Sequence, residues 1–223
     1  MNTNIKTAAK LAAFAGAFAL TGCAFVPVTV HPTYTPPANV TKIPGADKVV
    51  VDVVVKNEKK HKDEVSVTKD GYGIKMAGVY MHVAKEFDQA ISVALEKEGF
   101  SISTSGTTKV KVDILHFYLP EQMHWWSASH TGHGSMLVTV TNPRGRIVYQ
   151  QKVEVSKIYF DKKQNFSNFN LTSAGRSESA RILMQKMVNN LISDHGFTKA
   201  ILQRNDKGMG AIVPVIPQTQ YPK

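Results

Sequence analysis

The chain has 223 residues, with 27 Lys and Arg against 17 Asp and Glu and a formal net charge of +10. That length suits one domain with tails rather than several domains. A single cysteine excludes an intramolecular disulfide, so the fold must stand on a hydrophobic core.

The N-terminus reads in three parts. Lys6 and Lys10 supply positive charge, Leu11–Leu20 (LAAFAGAFAL) is an apolar run, and Leu20-Thr21-Gly22-Cys23 closes it. That order predicts a secretory signal over residues 1–22. The apolar run is shorter than the roughly 20 residues a membrane span needs. Leu-Thr-Gly-Cys resembles the bacterial lipobox. The resemblance implies cleavage before Cys23, acylation of its thiol and attachment to a membrane on the periplasmic side; the alternative is an ordinary signal peptide with a chance cysteine. Each buried CH2 of an acyl chain adds about 0.8 kcal/mol, so several chains on one residue anchor firmly. Ala24 and Phe25 follow with no aspartate beside the anchor, and similarity to the enterobacterial sorting rule favours the outer membrane. Removing residues 1–22 takes two lysines and no acidic residue, which lowers the net charge to +8. A basic protein at a membrane surface is expected to meet anionic lipid, peptidoglycan or acidic polysaccharide, and no nucleic acid. Charge kept for solubility explains the same excess.

After Cys23, residues 23–47 carry Pro27, Pro32, Pro36, Pro37 and Pro44, which predicts an extended tether lifting the domain off the membrane. The domain is expected over residues 48–204. Val49, Val50, Val51, Val53, Val54 and Val55 around Asp52 read as a strand buried on both faces. Asn57–Glu64 is a charged loop. Val65–Thr68 and Ile74–Met76 flank Asp70-Gly71, a hairpin signal. Over residues 80–98 the period changes: Val83, Phe87, Ala90, Ile91, Ala94 and Leu95 share one helical face, and Gly99 is the expected left-handed stop with Phe100 packing back. Val110, Val112, Ile114 and His116 then alternate with Lys109, Lys111, Asp113 and Leu115 as a strand. Pro120-Glu121-Gln122 reads as a turn, residues 123–130 and 134–141 as strands with Gly132 and Gly134 marking a bulge, and Asn142-Pro143-Arg144-Gly145 as a turn into a strand over 147–160. A polar loop over 165–172 precedes a second helix over 177–195, with an apolar stripe of Ala180, Leu183, Met184, Met187, Val188, Leu191 and Ile192. Its ending in Gly196-Phe197 echoes Gly99-Phe100. Residues 205–223 form a loose tail. The fold class is α+β, a mostly antiparallel sheet with two helices packed on one face.

Three groups of residues invite chemistry. His124, His130 and His133, with His116 nearby, are ligand types suited to zinc or copper. His124 and His130 would face the same way on one strand, and Glu121 is the one carboxylate close by; histidines on an exposed strand are the plainer reading. Trp125-Trp126 places one ring on each face of a strand, so one can face a membrane interface or a subunit. Packing under the helices is the alternative. No G-x-S-x-G supports Ser127 or Ser129 as nucleophiles, and Ser173-Ala174-Gly175-Arg176, read as a loop into a helix, lacks the lysine of a phosphate cradle. Neither enzymatic activity nor a cofactor is expected.

The sequence resembles the YajG-like family of uncharacterised bacterial lipoproteins. Leu20–Cys23, the Val-rich strand, Glu64–Asp70, the helix end Ala94–Phe100, the Lys109–Asp113 strand and the closing helix carry the resemblance. It implies a periplasm-facing lipoprotein with no catalytic residues to transfer. The expected role is a non-enzymatic accessory or scaffolding component of an envelope machine, working with a protein partner or as a homo-oligomer. The alternative is a lipoprotein binding an acidic glycan, lipid or metal ion through its basic surface and the His/Trp strand.

Overall fold

The computed structural model describes residues 26–70, 72–124, 127–160 and 172–203. Cys23 and the predicted signal, Gly71, Trp125-Trp126, most of the predicted 165–172 loop and the predicted tail lie outside the described residues, as do the side chains of residues 122–130.

Among the described residues, nine strands form two mixed sheets and three α-helices pack with them, an α+β fold. The strands are β1 (Val28–Thr29), β2 (Val50–Asn57), β3 (Glu64–Lys69), β4 (Lys75–Tyr80), β5 (Ser101–Ile102), β6 (Thr108–Tyr118), β7 (Glu121–His124), β8 (Ser127–Thr141) and β9 (Ile147–Tyr159). They lie in the order β1-β4-β3-β7-β8-β6-β2-β5, with β9 on the other side of β8. Strand β8 belongs to both sheets: residues 127–130 pair with β7 and residues 133–141 with β6. The register with β9 shifts between Gly132 and Gly134, where the expected bulge falls.

The meander β6-β8-β9 is antiparallel, as the alternation of apolar and charged residues required. Strand β2 enters it parallel to β6, because the chain between them crosses over through β3, β4 and a helix. Strand β2 is not buried on both faces: Val51 is sealed while Val50 and Val54 are exposed. The doubly covered strand is β3, where Val65, Ser66, Val67 and Thr68 are all buried in the middle of its sheet. In β6 a register shift between Ile114 and His116 changes the phase, so Phe117 points inward and His116 outward.

Helix α1 (Val83–Glu98) buries the predicted stripe and ends at Gly99, whose φ of 105° is the left-handed conformation glycine adopts without a Cβ penalty. The Gly99 N–H donates to Glu96 O and the Phe100 N–H to Leu95 O, and Phe100 is buried. The predicted second helix is two helices. Helix α2 (Ser173–Ile192) starts at the Thr172 cap, so Ser173–Arg176 is its first turn and not a loop. Helix α3 (His195–Leu202) starts at Asp194, whose Oδ1 accepts the N–H of Gly196 at 2.7 Å while Oδ2 accepts the Tyr149 hydroxyl at 2.7 Å. Gly196-Phe197 therefore opens a helix, and its likeness to Gly99-Phe100 is one of letters only.

Pro120 is followed by β7 instead of a turn. Strand β7 runs parallel to β3, and its last residue His124 pairs with Ser127, the first of β8. Residues 123–124 and 127–130 therefore belong to two paired strands and not to one, so His124 and His130 are on different strands.

The largest departure is the Pro-rich segment. From Val28 onward it is packed on the domain. Val30, Pro32 and Tyr34 point inward at every second residue. The Tyr34 hydroxyl donates to Asn189 Oδ1 at 2.8 Å, Gln185 Nε2 donates to Thr35 O at 3.0 Å, and Ile43 N donates to Glu98 O at 2.9 Å. Prolines keep a chain from joining a sheet ladder, but their rings and neighbours still bury apolar surface. What reads as a spacer is a belt laid over α1 and α2.

Close backbone approach explains one glycine. A Cβ on Gly106, in the turn before β6, would lie 2.5 Å from Asp52 N and 2.6 Å from Val51 C of β2. Both neighbours are backbone and cannot rotate away. Gly106→Ala is expected to lower stability by about 1–3 kcal/mol, as overpacking does. A urea midpoint unchanged from wild type would show that the turn can retreat.

Candidate functional site

Of the residues singled out from sequence in this region, the side chains of His116, His133 and Glu121 are described. His116 and His133 stack with ring centroids 4.7 Å apart, beside a shallow hollow of about 260 Å³ that also touches Ser135, Lys152 and Glu154. Burial, then the neighbouring His116, pushes the His133 imidazole below its usual range. His130 lies opposite Glu121 in the β7–β8 pairing. Glu121 is engaged elsewhere: its Oε1 accepts from Arg176 Nε at 3.1 Å, and its Oε2 accepts from Arg176 Nη2 at 3.2 Å and from Thr68 Oγ1 at 2.9 Å. Arg176, Glu121 and Thr68 are 2%, 3% and 0% exposed. The carboxylate that stood nearest the His cluster in sequence is a structural partner of α2. Among the described residues no group of three or more His, Cys, Asp or Glu could hold a metal ion.

The site the fold does build lies under the N-terminal belt. The belt is held to the helices at Tyr34, bonded to Asn189, and at Ile43, bonded to Glu98, with Pro36 and Pro37 between them. Between belt and helices is a cleft of about 760 Å³, walled by the ends of α1 and α2 and by α3. Apolar walls come from Pro36, Pro37, Val40, Ile43, Ile192 and Leu202. Glu98, the last residue of α1, lies in it. Its side-chain Oε2 is buried and has no hydrogen-bond partner among the described residues. Burial pushes its pKa up to about 7. The Tyr34 hydroxyl in the same cleft is also raised, by burial and then by the Glu98 charge. Lys97, His195 and Lys199 stand on the walls.

A buried carboxylate left without a donor is unfavourable by several kcal/mol when charged, so it holds its proton near neutral pH or awaits a donor from outside. Glu98 was legible in one respect. It falls three residues after Leu95 on the buried stripe of α1, where a carboxylate is out of place. Tyr34 and Asn189 carried no local signal, since their bond spans 155 residues.

Residues 36–202 match the model of a family described as uncharacterized lipoprotein, the YajG-like family. The chain belongs to this lipoprotein family. No curated protein matches it in sequence. Solved structures give distant likenesses. A Xanthomonas campestris protein is 13% identical over 72% of this chain and 95% of that one, with a TM-score of 0.44. A minor lipoprotein of Acinetobacter baumannii is 7% identical over 67% and 94%, TM-score 0.41. Lipoprotein GNA1162 of Neisseria meningitidis is 11% identical over 63% and 99%, TM-score 0.32. At these scores the likenesses carry no argument about function. No helix among the described residues is long and apolar enough to cross a membrane.

Proposed function

We propose that this lipoprotein is a non-enzymatic accessory protein of the cell envelope. Acylated Cys23 holds it on the periplasmic side of the outer membrane. It works by seating an amine-bearing group of an envelope partner, a lysine side chain or a smaller amine, in the cleft under the belt. The observation that carries this reading is the buried, unpartnered Glu98 oxygen in a solvent-open cleft with apolar walls. An ammonium group on an apolar stem matches both features: charge for the carboxylate, and hydrocarbon for Pro36, Pro37, Ile43 and Leu202. The polar groups in the cleft favour binding over catalysis. The hydrogen bond that joins two of them, Tyr34 to Asn189, links no nucleophile to a base. Binding is therefore assigned to the cleft.

The test is a titration of the isotope-labelled mature protein with phenethylamine, and with 2-phenylethanol as its neutral counterpart, followed by NMR. At millimolar concentration the amine is expected to shift the Glu98 and Asn189 signals and to lower the Glu98 pKa. It should bind several-fold more tightly at pH 8, where the carboxylate is charged, than at pH 5. Glu98→Gln should bind amine and alcohol alike. Equal responses to the two probes in wild type would overturn the assignment.

A further inference from the structure

The structure also indicates how the anchored domain sits. Strand β1 runs parallel to β4, with Val28 opposite Val79 and Thr29 opposite Tyr80. The chain preceding Val28 therefore leaves the sheet toward the start of β4, the end that carries the β3–β4 hairpin tip. From Cys23 to Val28 is five residue steps, which span at most about 18 Å when fully extended. From Val79 back to Lys75, the first residue of β4, is about 13 Å along the strand. An anchor on Cys23 thus keeps this tip close to the lipid, and the belt leaves no long tether to carry it away.

The tip is dressed for that position. Tyr72 is 82% exposed and Ile74 62%, and Val26 on the chain to the anchor is 59% exposed. Hydrogen bonds shape the turn that carries Tyr72 and Ile74. Asp70 Oδ1 accepts the N–H groups of Tyr72 at 2.9 Å and Ile74 at 2.8 Å, Asp70 N donates to Ile74 O, and Gly73 closes the turn at a φ of 83°. Lys69 and Lys75 flank it, with Lys75 also bound to Glu64 at 2.7 Å. A tyrosine and an aliphatic side chain on a hydrogen-bonded turn between lysines suit the zone between acyl chains and phosphates.

We propose that the β3–β4 hairpin tip, through Tyr72 and Ile74, is a membrane-interface contact that fixes the domain's orientation on the lipid surface holding its anchor. This rests on the reading that Cys23 is acylated. With Cys23 consumed by acylation, Ile74→Cys supplies a unique free thiol for an environment-sensitive fluorophore. Arg146→Cys, in the exposed turn at the far end of β8, is the comparison. The acylated proteins are reconstituted into vesicles of phosphatidylethanolamine and phosphatidylglycerol and floated, and emission is recorded with and without brominated lipid. Expected are co-flotation, a blue-shifted label at position 74 and quenching there several-fold stronger than at 146. Flotation with equal, weak quenching at both positions overturns the hairpin contact and leaves the anchor standing. Failure to float overturns the anchor, and the contact with it.

Discussion

Arg176→Met is expected to destabilise the domain by about 3–5 kcal/mol, the range for removing one partner of a buried ion pair. The guanidinium in the first turn of α2 reaches Glu121 on β7 and, through Nη2, Thr68 on β3 at 2.7 Å. All three residues are sealed from solvent. Methionine roughly fills the volume but leaves the Glu121 carboxylate charged in the interior without its cation. The double variant Arg176→Met/Glu121→Leu removes both charges together and should recover most of the loss, since well-packed apolar replacements of buried pairs are often neutral. Urea unfolding of wild type, single and double variants checks this through the midpoint. A single variant within about 1 kcal/mol of wild type, the size of a surface ion pair, would mean that water reaches Glu121. The pair joins residues 55 apart and sets how α2 meets the β3–β7 sheet.

Glu98→Gln should act in the opposite direction and only above acid pH. The Glu98 pKa moves from 4.5 in the unfolded chain to about 7 in the fold, because burial disfavours the charged form. Between those values the folded protein holds a proton that the unfolded chain has released. Stability contributed by this group is therefore present below pH 4.5, falls as the pH rises through the window, and is gone above pH 7. The full window at about 1.4 kcal/mol per pH unit would give roughly 3.5 kcal/mol, and solvent screening in the open cleft brings the expected change down to about 2–3 kcal/mol. Glutamine is neutral throughout. The variant should match wild type near pH 4.5 and exceed it at pH 8 by that amount, in urea unfolding at each pH. Taking the difference between the two proteins cancels groups that titrate in both. A difference that does not change between pH 5 and pH 8 would show that Glu98 is solvated and would remove the basis for amine binding in the cleft.

Elements governed by neighbours in sequence were legible. The 3.6-residue stripe and Gly99 gave α1, the two-residue alternation gave β6, and Asn142–Gly145 gave the β8–β9 turn, where Asn142 Oδ1 accepts from Arg144 N and Arg146 N at 3.0 Å each. The β3–β4 hairpin was legible too, although its turn spans residues 70–74 and turns on the Asp70 side chain and Gly73. The misreadings arose where two local signals compete. Ser193-Asp194 breaks an unbroken apolar stripe because an aspartate that can accept a Tyr149 hydroxyl and cap a new helix outweighs helix continuation. A β-bulge at Leu115 reverses the inward set, and no residue there announces it.

By itself the sequence determined the family, the α+β class and most element types, since each follows from periodicity and turn chemistry within about a dozen residues. Only the tertiary structure decided that the Pro-rich segment is a belt, that Glu121 serves α2, and that Glu98 and Tyr34 share a cleft. Those relations join residues 53 to 155 positions apart. Their energy comes from excluding water between surfaces that meet only after the chain has folded, a property no local stretch of the sequence carries.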